Sequence, residues 1–339
     1  VRASVRTLTL FAAFLLCCVT AGSAHADADP GACRSFPVPV AKGHLAATLC
    51  TPVGKPGGTV MVLMSGSNYN GTYWDFAYQP QTYNFREAMN RAGYATLVVD
   101  RLGNGASTHP AALSLTANDT AQALHGIVQG LRHGLAGAAP YAEVVTVGHS
   151  LTSGTSVMEA SSYHDVDGVV LTGYSHALNI PETLGVISTY HRAVDDPAFA
   201  GRGLDAGYLT TRPGTRMHDF FDPRDADPAV VAQDEKTKEI FSLSEYPDGL
   251  MSTLPGMSGE IDAPVLIVDG SLDRLSCGPG YSVCRSAATL KAAEAPYFAP
   301  AAELQTFVLP GSGHSVNLAR NTGAYHTAVL DWLNSTVGH

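Results

Sequence analysis

This 339-residue sequence predicts a doubly wound α/β fold, with a mostly parallel sheet covered by helices on both faces. Three observations lead there. Short, continuously apolar runs such as Thr59-Val60-Met61-Val62-Leu63-Met64 recur along the chain, and a strand buried on both faces shows no polar alternation. Stretches with helical character separate these runs, the rhythm of strand–helix–strand units. One run, Val144-Val145-Thr146-Val147, leads directly into Gly148-His149-Ser150 and then into small residues and a helix-like segment. No internal repeat or low-complexity tract interrupts the pattern.

Taken in order, residues 36–40 and 44–50 read as two antiparallel edge strands, because Pro37 and Pro39 are tolerated only at a sheet edge. Residues 59–64 are a buried strand, and 83–92 a helix stopped at Gly93. A strand at 94–99, a long helix at 117–133, the strand ending at Val147, the helix after Ser150 and a strand at 166–171 follow. Residues 264–268 and 303–309 are the last two strands, and 323–335 a closing amphipathic helix. Between residues 174 and 259 the rhythm fails. Charged and turn-forming residues dominate, no strong strand appears, and a helix is expected near 227–241. A connection of this length is far beyond an ordinary loop, so a mostly helical cap inserted into a core of residues 27–173 and 260–339 is expected.

Residues 1–26 have the make-up of a secretory signal: Arg2 and Arg6, an apolar stretch over 8–19, and Ala24-His25-Ala26 as a cleavage site. The apolar stretch is short for a bilayer span, so an exported chain without a membrane anchor is expected. The net charge of −10, with no run of Lys or Arg, argues against nucleic acid and anionic membranes as partners. Beyond the signal lie Cys33, Cys50, Cys277 and Cys284. In an exported chain an even count suggests two disulfides with three possible pairings. Proximity in sequence favours Cys33–Cys50 and Cys277–Cys284, and no Cys-x-x-Cys spacing suggests zinc.

Gly148-His149-Ser150-Leu151-Thr152 has the layout of a nucleophile elbow, with a serine on a sharp strand-to-helix turn and small residues two positions away on each side. Thr152 stands where glycine is usual. A general base is then needed at the C-terminal rim of the sheet, where open α/β folds bind ligands. His314, in Gly311-Ser312-Gly313-His314, lies between the last strand and the last helix. Asp273, in the loop after the penultimate strand, is placed to orient that imidazole, while its rival Asp269 belongs to the strand end and is expected to cap or pair locally. The order Ser150, Asp273, His314 is that of a hydrolase triad on this kind of sheet. Backbone N–H groups of Leu151 and Ser67 are the expected oxyanion donors, with Asn68 the alternative to Ser67. Asn68, His149 and Tyr174 are expected to contact substrate. The aromatic cluster from Tyr73 to Tyr78 suits an apolar pocket wall or plain packing.

With these motifs in place the chain resembles a secreted member of the α/β-hydrolase superfamily with a helical cap. The resemblance rests on Ser65-Gly66-Ser67, Asp100-Arg101-Leu102-Gly103-Asn104-Gly105, the elbow, Gly270-Ser271-Leu272-Asp273 and Gly313-His314, and covers most of residues 36–336. Thr152 departs from the pattern, as does Ser65 where many members carry histidine. The resemblance implies hydrolysis of small-molecule esters or lactones through an acyl-enzyme, with no metal and no organic cofactor. Other classes share the scaffold. A peptidase would use acidic cap residues such as Asp195, Asp196 or Asp219 to hold an amine. An acyltransferase, perhydrolase or lyase would treat water differently, and a silent binding protein would leave the serine unreactive.

Overall fold

The computed structural model describes residue 1 and residues 31–52 and 58–338; the expected signal segment lies outside the described residues. Strands β1 (Ala32–Val40) and β2 (Gly43–Thr51) form an antiparallel hairpin. β1 occupies one edge of the main sheet, where the missing N–H groups of Pro37 and Pro39 break no ladder. β3 (Thr59–Met64) is buried throughout. The expected helix at 83–92 is two pieces, α1 (Pro80–Tyr83) and α2 (Phe85–Arg91). Asn84 divides them, its side chain accepting from the Glu87 N–H at 2.9 Å to cap α2.

β4 (Ala95–Val99) precedes α3 (Ala117–Arg132), which opens with a capping box of Thr116 and Asp119. β5 (Glu143–His149), α4 (Leu151–Tyr163) and β6 (Gly168–Thr172) follow. The insertion then carries α5 (Ile180–Ser188), β7 (Tyr190–Arg192), β8 (Tyr208–Thr211), α6 (Arg216–Phe220), α7 (Pro228–Lys236), β9 (Phe241–Ser242) and α8 (Tyr246–Gly249). The core resumes with β10 (Val265–Gly270), α9 (Ala287–Glu294), β11 (Gln305–Leu309) and α10 (Thr322–Thr336).

The main sheet has eight strands in the order β1-β2-β4-β3-β5-β6-β10-β11. β1–β2 and β2–β4 pair antiparallel, and every other neighbouring pair is parallel. Alternate side chains feed two separate apolar layers. Val60 and Val62 pack in one, Met61 and Leu63 in the other, as a sheet covered on both faces requires. The register brings Met64 level with Gly148, His149 with Thr172, and Gly270 with Leu309. The C-terminal ends of the six parallel strands therefore share one rim.

The insertion carries the expected helices, α5 to α8, and adds strands that the sequence did not announce. β7, β8 and β9 form a small antiparallel sheet of their own. Strands of two to four residues are too short to leave a period in sequence. The insertion is tied to the core by the Arg101–Glu245 ion pair (2.5 Å), in which both side chains are buried. Disulfides join Cys33 to Cys50 across the β1–β2 hairpin and Cys277 to Cys284 in the loop after β10. Among the described residues, no helix is long and apolar enough to cross a membrane.

Candidate active site

Ser150 is the hinge between β5 and α4. Its backbone adopts φ +55° and ψ −119°, a conformation that non-glycine residues occupy only when their surroundings enforce it. Here its N–H donates to the Thr172 carbonyl at 2.8 Å, and the turn closes onto the following helix. A Cβ at Gly148 would lie 2.5 Å from both the Ser153 nitrogen and the Thr152 oxygen, so only glycine fits there. Gly66, on the loop after β3, is equally constrained, because a Cβ would come within 2.9 Å of the Ser150 Cβ. Thr152, the departure from the usual glycine, is integrated into the turn. Its hydroxyl donates to the Met64 carbonyl at 2.6 Å and accepts from the His149 N–H at 3.0 Å.

The loop after β11 presents His314, and its Nδ1 lies 2.8 Å from Asp273 Oδ2. The other Asp273 oxygen accepts from the N–H groups of Leu275 (2.8 Å) and Ser276 (3.2 Å). Both side chains are buried, so the carboxylate is held by a fixed set of donors. His314 Nε2 is buried and makes no hydrogen bond. Ser150 and His314 line the same narrow cavity, with a volume of about 60 Å³. The Ser150 hydroxyl is not hydrogen-bonded to the imidazole in this conformation, and such contacts are commonly loose before substrate binds.

Asp269 does not cap or pair locally as expected. It is fully buried and neither carboxylate oxygen has a hydrogen-bond partner. Burial, followed by the neighbouring Asp273 and Glu294 carboxylates, pushes its carboxyl well above the ordinary range.

Of the three expected substrate contacts, Tyr174 lines the cavity, with its hydroxyl donating to the Ser252 carbonyl at 2.8 Å. His149 and Asn68 do not. His149 is completely buried, stacked 4.5 Å from the Tyr73 ring, with the His314 ring tilted against it 5.0 Å away. Burial, then His314, holds its pKa well below the usual value, so it is a neutral support behind the site. Asn68 is also fully buried, with φ +62°. Its carbonyl accepts from the Glu239 N–H (3.0 Å) and Arg216 Nη1 (3.2 Å). Tyr73, Trp74 and Phe76 pack in the core rather than along the cavity.

Leu151 begins α4 and lines the cavity; the Ser67 hydroxyl is 3.2 Å from that of Tyr246, another lining residue. Asp195, Asp196 and Asp219 are absent from the lining. Asp196 is paired with Lys238 at 2.8 Å, and Asp195 with Arg192 at 2.8 Å.

Arg216 is a supporting residue that no sequence signal marked. Buried on α6, it pairs with Asp234 at 2.6 Å, stacks 4.3 Å above the Tyr69 ring, and holds the loop after β3 through the Asn68 carbonyl. Gly173, at φ +59° just past β6, was equally unmarked. A Cβ there would meet His314 Cε1 at 3.0 Å, and its carbonyl accepts from the Ser276 hydroxyl at 2.8 Å. Its place immediately after a parallel strand was the available clue.

A sheet of this order, with a serine on the turn after β5 and an acid and histidine beyond β10 and β11, defines a hydrolase-type α/β scaffold. The chain belongs to the alpha/beta hydrolase family, whose profile matches residues 61–326. No curated protein matches it. Among solved structures it is similar to a thermophilic esterase from Thermogutta terrifontis (17% identity, TM-score 0.58, covering 89% of this chain and 99% of that one). It is also similar to a highly thermostable carboxyl esterase from Bacillus coagulans (15%, 0.60, 90% and 99%). A monoacylglycerol lipase from Paleococcus ferrophilus is a third (17%, 0.57, 86% and 99%). At these identities the likeness is one of fold.

Proposed function

We propose that this chain is an exported serine hydrolase that cleaves small carboxylic esters or lactones through Ser150, His314 and Asp273. The observation that carries the proposal is the His314–Asp273 hydrogen bond of 2.8 Å, set at a cavity whose wall includes the strained Ser150. Asp273 fixes the imidazole with Nδ1–H donating, which leaves Nε2 as the basic nitrogen facing the serine side. A rotation about χ1 brings the Ser150 hydroxyl to Nε2. Ser150 Oγ then attacks the acyl carbon as Nε2 takes its proton, and the N–H groups of Leu151 and Ser67 hold the oxyanion. The C–O bond to the alcohol breaks, the alcohol leaves with the proton from His314, and an acyl-serine remains. Water, deprotonated by the same nitrogen, releases the acid and restores Ser150.

The cavity walls include Leu151, Leu178, Leu250 and Leu275 and no carboxylate, which supports an apolar acyl group over a charged amine. This weighs against a peptidase. Two disulfides suit an oxidising compartment and support export. The test is a fluorophosphonate probe followed by p-nitrophenyl esters, lactones and aminoacyl anilides. Labelling at Ser150, with turnover of esters or lactones that falls about a millionfold in Ser150→Ala, is the expected result. An unlabelled wild-type serine, or near-normal turnover by the variant, would overturn it.

A further inference from the structure

On the far side of α4 from the elbow lies a second cluster that the proposed chemistry does not use. His125 on α3, Glu159 on α4 and Asp165 just beyond α4 converge, with one ligand-type atom from each within 4.8 Å of the others. His125 Nδ1 is 2.8 Å from Asp165 Oδ2 and 3.8 Å from Glu159 Oε1. Glu159 is completely buried, and neither of its oxygens has a hydrogen-bond partner. An unpartnered carboxylate sealed into a protein interior is costly unless a proton or a cation meets it.

From this geometry we infer that His125, Glu159 and Asp165 form a binding site for a divalent transition-metal ion, zinc foremost, that clamps α3 to α4. One imidazole nitrogen and two carboxylate oxygens, with water as the fourth ligand, form a donor set that zinc accepts. Zinc bonds of about 2.0–2.2 Å in a tetrahedron place neighbouring ligand atoms about 3.3 Å apart. The observed 2.8 and 3.8 Å bracket that spacing, and the Glu159–Asp165 edge is within 4.8 Å. A nitrogen donor favours zinc over calcium or magnesium, which prefer oxygen alone. The Tyr163 ring, stacked 3.8 Å from His125, fixes the imidazole plane, and Gln129 Nε2 holds Asp165 Oδ2 at 2.5 Å. Arg132, which donates to the Asp165 carbonyl at 2.7 Å, is the neighbouring cation. His125 is about one-third exposed and gives an ion a path from solvent.

The test is calorimetric titration of zinc chloride into tag-free, EDTA-stripped full chain, with thermal melting alongside and calcium chloride as the comparison ion. One zinc bound per chain, a melting temperature raised by zinc, and at least tenfold weaker binding in both Glu159→Gln and His125→Ala are expected. His125→Ala, at a partly exposed helical position, carries the test if the buried substitution fails to fold. Absence of zinc binding, binding unchanged in His125→Ala, or calcium binding as tight as zinc would each overturn the inference. Ester turnover is not part of the readout, so this outcome is independent of the proposed hydrolase activity.

Discussion

The Thr152 hydroxyl donates to the Met64 carbonyl at 2.6 Å, joining the first turn of the elbow helix to the last residue of β3. Met64 immediately precedes Ser65-Gly66-Ser67, so the threonine braces the loop assigned to the oxyanion. Thr152→Val keeps the shape but strands the Met64 carbonyl and the His149 N–H, and a buried unsatisfied group costs about 1–3 kcal/mol. Urea unfolding is expected to show a loss of that size, with reduced kcat on a p-nitrophenyl ester. Thr152→Ser should stay within about 1 kcal/mol of wild type. Equal stability of the valine variant would show that the hydroxyl is dispensable.

The two disulfides should separate in their effects. Loop closure predicts stabilisation of about 3 kcal/mol for Cys33–Cys50 and about 2.5 kcal/mol for Cys277–Cys284. The first pins an edge hairpin far from the rim. The second closes the chain just beyond Leu275 and Ser276, whose N–H groups hold Asp273. Alanine pairs at 33/50 are expected to lower the melting temperature with kcat unchanged at 25 °C. Pairs at 277/284 should lower both. Parallel melting curves and initial rates check this, and equal kcat values in the two double variants would refute it.

The parts of the molecule legible in sequence are those governed by local pattern. Residues 59–64 read as a buried strand because all six are apolar or β-branched, and β3 has those bounds. The loops holding Ser150, Asp273 and His314 were placed by chain order and glycine punctuation, and the structure brings the aspartate and histidine into contact. What was illegible depends on distant partners. His149 and Asn68 look like site residues beside the elbow and the oxyanion loop, yet Tyr73 and Arg216, remote in sequence, hold them inside. The β7–β8–β9 sheet exists through pairing across the insertion, and α9 buries only Leu290 and Glu294, too few for an apolar period.

His326, on α10, gives the fold an acid-sensitive element. Burial, with a smaller contribution from Arg91, holds its imidazole down at about 4, against 6.5 in an unfolded chain. The folded state therefore binds fewer protons than the unfolded state between these values. Its contribution is complete above pH 6.5 and disappears as pH falls towards 4, a change of about 3 kcal/mol. The stability difference between wild type and His326→Gln is expected to shrink by about that amount between pH 7 and pH 4 in urea midpoints. A pH-independent difference would mean that the ring is protonated as readily folded as unfolded.

Gly173, itself part of the cavity wall, should control the base through the position of His314. At φ +59°, where any side chain is strained, a notional Cβ 3.0 Å from His314 Cε1 and 3.1 Å from Nδ1 displaces the imidazole by a few tenths of an ångström from its place against Asp273. Misplacement of a reacting group by about 1 Å can cost on the order of a hundredfold in rate. Gly173→Ala is expected to lower kcat by about 10–100-fold, with KM changed by less than about threefold, because the apolar walls from Leu178 and Leu250 remain. Slower fluorophosphonate labelling of Ser150 should accompany it, since that reaction needs the same proton transfer. A variant with lowered stability but unaltered kcat and labelling rate would show that Gly173 serves the backbone turn alone.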